Sequence, residues 1–302
     1  YSDNSDDSGP TYGYYKLSEQ ECYHWQDTKE EYQDTPNSLW GGYYSAIAAA
    51  NMALNAIEEK GNPASLDPQR GEALVCRAYC HFMLANIFCN AYDTHASQSL
   101  GVPYMEEVET TVSPRYERGT LEEVYRKVER DLLEGIDLIS DDSYSVPKYH
   151  FTRKAAYAFA ARFYLYYMKP DFSNCDRVID FATRVLGTNP ADLLRNWEAL
   201  GNLSVNGNVQ ADAYIASSNE ANLLISSTIS NWGAIGSDYL IGPRYFHNQT
   251  LATSETCLSS GRRGSSDYFY LKPFSTNGFV ASILRKSGLY EGTYLYYMPV
   301  LF

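Results

Sequence analysis

The sequence predicts a mainly α fold in which helix-hairpin repeats of the tetratricopeptide type pack against a loop-rich, irregular region. Three observations lead there. Apolar residues recur at helical spacing in successive segments between residues 39 and 187, and Gly, Pro and capping residues punctuate those segments. From about residue 188 the helical period gives way to Gly, Ser, Asn and Tyr. Because the repeat is degenerate, periodicity alone leaves a plain irregular helical bundle as the alternative.

The first 38 residues are acidic and Tyr-rich and carry Pro10 and Pro36, which predicts loop with at most one short helix. From Leu39, the residues Trp40, Tyr43, Tyr44, Ile47, Ala50, Leu54 and Ile57 form a helical stripe that stops at Lys60 and Gly61. The next helix is expected to open with Asp67 as N-cap and Pro68 as its first residue, and to run to Cys89. Leu74, Val75, Ala78, Phe82, Leu84, Ala85, Ile87 and Phe88 leave it almost no polar face, so it should be buried on most sides. After a loop over residues 91–118, Thr120 and Glu123 form a capping box ahead of an amphipathic helix with the stripe Leu121, Val124, Val128, Leu132, Ile136, Ile139. An Ala-rich helix over residues 152–168 permits close approach of its neighbours. A last one carries Val178, Ile179, Ala182, Val185 and Leu186 and ends at Gly187, with Pro190 beyond. In the remainder only short runs such as residues 221–225 have strand character. Short turns are expected to join the helices in pairs.

Composition narrows the function classes. A formal net charge of −13 disfavours nucleic acid and anionic membrane surfaces as partners. The most apolar stretch, residues 46–54, is far short of the ~18 residues of a membrane span and is broken by Asn51. Cys22, Cys76, Cys80, Cys89, Cys175 and Cys257 form no CxxC and read as free thiols packed as small hydrophobes. The five histidines are scattered without HExxH, and GxSxG, P-loop and GxGxxG are absent, so neither an enzyme nor a cofactor is implied. Asp3, Asp6 and Asp7 lack the Gly and terminal Glu of a calcium loop and read as a solvated terminus. The aromatic share of 15%, with 28 Tyr, exceeds what the core needs and predicts rings facing solvent or ligand.

Four motifs in order carry a family resemblance. They are Leu39-Trp-Gly-Gly-Tyr-Tyr-Ser-Ala-Ile-Ala-Ala-Ala-Asn-Met-Ala-Leu54; Gly71-Glu-Ala-Leu-Val-Cys-Arg-Ala-Tyr-Cys-His-Phe82 with Val102-Pro-Tyr104; Thr120-Leu-Glu-Glu-Val-Tyr125 with Glu129-Arg-Asp-Leu132; and residues 156–166 with their Ala-Arg-Phe-Tyr-Leu core. Together they resemble the SusD/RagB family of nutrient-binding lipoproteins. The resemblance implies one SusD-like domain over residues 1–302, with a helical repeat scaffold at 38–187 and a variable, ligand-binding half at 188–302. It further implies a glycan ligand, a SusC-like TonB-dependent transporter as partner, and attachment to the outer membrane through a lipid anchor. A peptide-binding receptor of the RagB type and a protein-binding helical-repeat scaffold are the alternatives. The chain departs from the family pattern in lacking the lipidated Cys and in stopping at Met298-Pro-Val-Leu-Phe302, where members begin another repeat helix, which suggests a truncated or processed form.

Sugar binding needs flat apolar faces against C–H surfaces, with hydrogen-bonding groups beside them, and Trp and Tyr supply both. The family draws its binding rings from the segment ahead of the first well-marked helix and from the variable half. The candidates are therefore Tyr12, Tyr14, Tyr15 and Trp25 in the first, and Trp232, Tyr239 and Tyr245 in the second, with Asn231 and Arg244 as polar partners. Trp40 and Tyr164 lie on helical stripes and belong to the core. Arg262 and Arg263 read as a surface loop.

Overall fold

The computed structural model describes residues 5–7, 17–31, 35–111, 114–203, 209–226 and 245–247. They fall into two compact units. The larger comprises Trp40–Arg195 with Glu220–Ser226. It contains five helices: α2 (Pro36–Glu58, from Trp40 onward), α3 (Asp67–Phe88), α4 (Leu121–Leu138), α5 (Arg153–Tyr166) and α6 (Cys175–Leu186). The other unit holds β1 (Ser5–Asp7), α1 (Leu17–Tyr23), α7 (Trp197–Gly201), α8 (Val209–Ile215) and β2 (Tyr245–His247). The two short strands pair antiparallel, with Asp7 opposite Tyr245.

Side-chain partners show that successive helices of the larger unit run antiparallel. Trp40 meets Phe88 while Asn51 meets Arg77, which orients α2 against α3. Gly71 lies against Gly135, and Phe82 against Tyr125, which orients α3 against α4. Arg153 reaches the Ile139 carbonyl and Tyr164 reaches Glu129. On the far side Tyr157 packs near Arg184, and Tyr164 near Arg177. The result is a mainly helical array of paired helices, as the sequence predicts. The pairing differs from expectation in one respect: α3 and α4 pack closely although the expected loop, segment 89–120, separates them, so this pair is not one joined by a short turn.

Local chemistry explains the elements. Thr120 accepts from the Glu123 N–H (3.2 Å) and the Glu123 carboxylate from the Thr120 N–H (2.8 Å), so the capping box forms in full. Every residue of the α4 stripe, Leu121 through Ile136, is buried, and so is Ile139 just past its end. At α3 the start shifts by one residue. The 3-10 turn Ala64–Leu66 runs straight into the helix, so Leu66 is the N-cap without a side-chain bond, while Asp67 is the first helical residue and favours the macrodipole. Gly187 follows α6 at φ 65°, a left-handed stop that a side chain resists. Residues 221–225 do not form a strand. They dock through the Ile225 N–H to the Lys148 carbonyl (2.7 Å) and through Leu223 and Leu224 against the core. The helical period does not end at residue 188 either, since α7 and α8 lie beyond it.

The core is aromatic. Phe82, Tyr125, Phe159 and Phe163 meet with centroids about 6 Å apart, and Tyr92 and Tyr167 extend the cluster. Tyr164 is fully buried and Trp40 packs partly buried against Tyr44 and Phe88, so both belong to the core. Cys22, Cys76, Cys80, Cys89 and Cys175 are free thiols, and burial pushes Cys80 up to about 12, far from thiolate reactivity. Cys257 lies outside the described residues, as do Asp3, Arg262 and Arg263.

A polar network crosses this core. The Arg77 Nε donates to Asp131 Oδ2 at 2.6 Å, both side chains being buried, and Nη1 donates to Asn51 Oδ1 and to the Glu106 carbonyl. Tyr104 donates its hydroxyl to the same Asp131 oxygen at 2.7 Å. His81 stacks on the Tyr104 ring, 3.8 Å between centroids. The Met105 N–H can only donate, so His81 Nε2 accepts from it (3.0 Å) and the ring proton sits on Nδ1, which donates to the Arg77 carbonyl (2.9 Å). Burial holds this imidazole down at about 4, hence neutral.

Four outcomes test these assignments by thermal and urea unfolding. At Gly71 and Gly135 an added Cβ would sit 2.7 Å from the facing backbone oxygen, so Gly71→Ala and Gly135→Ala should each destabilise by about 1–3 kcal/mol. Gly42, with open space around it, should instead gain up to about 1 kcal/mol as Ala. Removing Arg77 leaves the buried Asp131 carboxylate to Arg130 and Tyr104 and unpartners Asn51 Oδ1, and Arg77→Ala should cost about 2–4 kcal/mol. The unfolded chain takes up a proton on His81 near pH 6.5, whereas the folded chain resists until about 4. Stability from this group is thus present above pH 6.5 and lost as pH falls toward 4, with a slope approaching about 1.4 kcal/mol per pH unit that His81→Gln should abolish.

Candidate functional site

The smaller unit presents a large ring to solvent through a specific turn. After α1, the Trp25 N–H donates to the Cys22 carbonyl (3.2 Å) and the Gln26 N–H to the Glu21 carbonyl (2.8 Å). That pair of bonds is a Schellman ending, which places Trp25 at the position Gly usually fills. Its φ is 54°, a left-handed conformation that costs a side-chain-bearing residue about 1–2 kcal/mol. The turn is nevertheless held firmly. The buried Glu21 carboxylate accepts the Lys29 N–H at 3.0 Å, and Glu30 accepts the Ser18 N–H at 2.8 Å, lashing residues 26–30 back onto α1. The indole is 83% exposed, flanked by the exposed polar residues His24, Gln26 and Asp27. A strained backbone that displays an apolar ring to water points to a use for that ring.

Of the other candidates, Tyr245 has its backbone in β2, while Tyr12, Tyr14, Tyr15, Asn231, Trp232, Tyr239 and Arg244 lie outside the described residues. The structure also brings forward a ring that sequence reasoning passed over. Trp197, 60% exposed, opens α7 and lies 6.0 Å from the Tyr214 ring of α8. Its available signal was Asn196, a good N-cap directly ahead of Trp-Glu-Ala-Leu, and the structure shows Asn196 Oδ1 accepting the Ala199 N–H at 2.8 Å. Among the described residues no three His, Cys, Asp or Glu side chains are grouped to hold a metal ion, and no helix is long and apolar enough to cross a membrane.

The motif residues of the larger unit are engaged internally. Gly71 packs on α4, and Glu72 accepts from the Phe151 N–H (3.1 Å) and bonds His150 (2.9 Å), whose ring stacks on Tyr144. Arg77 pairs with Asp131, and Tyr164 donates to Glu129 while accepting from Arg177, both at 2.8 Å. These side chains build the scaffold.

Comparison with known proteins places the architecture. A SusD-like family model described as "Starch-binding associating with outer membrane" matches residues 1–165 of the 302. Among solved structures, a Bacteroides vulgatus protein with a provisional sugar-binding assignment superposes with a TM-score of 0.52 at 23% identity, covering 73% of this chain and 45% of that one. A SusD-like carbohydrate binding protein from the same organism gives 0.51 at 16% identity, over 67% and 40% of the two chains. A SusD superfamily protein, also from B. vulgatus, gives 0.50 at 21% identity, over 80% and 56%. At such identities the likeness is one of fold, and the chain spans between 40% and 56% of these structures' length. No curated protein sequence matches it. With more than half its residues matched by the family model, and its paired helices arranged as in these folds, the chain belongs to the SusD/RagB family.

Proposed function

We propose that this chain is a non-catalytic, cell-surface glycan-binding protein that holds oligo- or polysaccharide for delivery to a SusC-like TonB-dependent transporter, with a lipid anchor keeping it at the outer membrane. The observation that carries the reading is Trp25, an indole almost wholly in water on a tied-down, left-handed turn. Support also comes from the family, described as starch-binding and associating with the outer membrane, and from the carbohydrate-binding SusD-like protein that shares the fold.

The physics suits capture without chemistry. A sugar ring laid on an indole gains about 1 kcal/mol beyond area burial, and the exposed polar neighbours of Trp25 offer hydrogen bonds to hydroxyls. Because the turn is already ordered, little entropy is lost when ligand arrives. A few such contacts give micromolar to millimolar binding, enough for a receptor that meets a long polymer at many points and must release it to a transporter.

Isothermal titration with neutral oligosaccharides of α-1,4, β-1,3 and β-1,4 linkage tests the reading. Trp25→Ala should weaken the best ligand about fivefold. Trp25→Gly should lose the same affinity while raising the unfolding temperature, since glycine relieves the left-handed strain of about 1 kcal/mol. No heat with any glycan would sink the proposal; peptides found by mass spectrometry of the purified protein would then indicate a peptide receptor, and transporter pull-down without ligand affinity a scaffold.

A further inference from the structure

The geometry points to a carboxylate-binding site in the larger unit, where the Arg162 guanidinium, beside the Tyr166 ring and close to Tyr43 and Tyr79, takes the carboxylate of a small monoanion with an apolar body. This site is independent of the glycan reading and does not rest on it.

Arg162 stands out by what it lacks. Among the described residues the other arginines that are buried or half-buried have acceptors: Arg70 pairs with Glu134, Arg77 with Asp131, and Arg195 donates to Asn222. Arg162, half-buried on α5, has no ion pair or hydrogen bond with any described residue. Its guanidinium carbon lies 5.9 Å from the centre of the Tyr166 ring one turn further along the helix. Tyr166 is 46% exposed and is held edge-on against Phe82. The nearby phenols of Tyr43 on α2 and Tyr79 on α3 are half-buried, and neither hydroxyl bonds a described residue. Burial pushes both phenols up from their usual range while the guanidinium pulls them back, so both remain neutral O–H donors at pH 7. Packing on Phe151 and Phe159 fixes the Tyr79 ring. Three donors thus converge from three helices without an acceptor, and donors partly withdrawn from water favour one.

Charge sets the class of ligand. From Pro36 to Ile57, α2 has no charged side chain; from Ala78 to Phe88, α3 has only the neutral His81; from Ala155 to Tyr166, α5 has only Arg162. Cys80, also near Tyr43 and Tyr79, is a neutral thiol. A chain of net charge −13 therefore keeps one uncompensated cation on these faces. One positive charge matches one negative charge, and the planar guanidinium fork meets a planar carboxylate through two parallel bonds. A phosphate or sulfate dianion would leave its second charge unanswered. Along α3, Met83 and Ile87 follow Tyr79 at one-turn intervals, the first partly buried against the core and the second 41% exposed. They continue the same helix face as an apolar strip, which suits an apolar ligand body.

Isothermal titration of the full chain at pH 7 and low salt tests the site with phenylacetate, against phenylacetamide, inorganic phosphate and sulfate. Phenylacetate should bind in the millimolar range and phenylacetamide should give no heat. Arg162→Gln should weaken phenylacetate about tenfold, Arg162→Lys, which keeps the charge without the fork, about threefold, and Tyr79→Phe about threefold. If Arg162→Gln fails to fold by circular dichroism, the losses in Arg162→Lys and Tyr79→Phe decide. No heat with phenylacetate in wild type, or wild-type affinity in a folded Arg162→Gln, overturns the site. Phenylacetamide binding as tightly as phenylacetate overturns the role of charge, and phosphate or sulfate binding more tightly overturns the carboxylate assignment.

Discussion

Between α3 and α4 the Arg77 guanidinium and the Asp131 carboxylate sit out of water, and their pairing, with Arg130 on the second carboxylate oxygen, offsets the cost of burial. Their remaining hydrogen-bonding capacity fixes much of the larger unit. Arg77 also binds Asn51 on α2 and the Glu106 carbonyl, and Asp131 receives Tyr104 and Arg130. One ion pair thereby sets the register of three helices and holds the segment around residues 104–106 against them. Glu106 closes the arrangement from outside, bonding Lys127 at 2.5 Å and Arg130 at 2.7 Å. A wholly apolar seam would pack α3 on α4 as tightly, but several sliding registers would be nearly equal in energy. The directed bonds single out one.

The close crossing of Gly71 and Gly135 works with that pair. It brings backbone to backbone one to two turns from that pair, toward the start of α3 and the end of α4, so the helices are pinned at two neighbouring points. The neutral His81, wedged between the Arg77 carbonyl and the Met105 N–H, adds a third tie, to the loop and not to a helix. The outcome is a stiff support from which the long connection 89–120 cannot easily lift.

Features whose causes lie within one turn of chain were legible in the sequence. The capping box at Thr120 and the α4 stripe are local patterns, and both stand as read. The start of α3 moved by one residue because a preceding 3-10 turn, invisible to a capping rule, supplies its entry. That α4 would be the close partner of α3 was hidden by the long segment between them. Residues 221–225 have β-type composition, yet they dock alone on the helical core, a tertiary outcome no local pattern encodes. In the candidate site, Trp25 was legible as a ring outside the helical stripes, but its left-handed turn depends on bonds from Glu21 and Glu30 that sequence spacing does not announce. Trp197 and Tyr214 went unread because α7 and α8 span under two turns each, too short for a period to show.

The internal employment of the motif side chains has a corollary for comparing such chains. Gly71, Glu72, Arg77, Asp131 and Tyr164 all spend their chemistry on one another or on neighbouring backbone and side chains, and none is left over to touch cargo. Under the proposed function, two proteins can share every one of them and carry unrelated nutrients, since these residues hold the frame together and leave selection of cargo to side chains outside it. Ranking relatives by overall identity would then sort architecture, and side chains outside that frame would have to be compared separately.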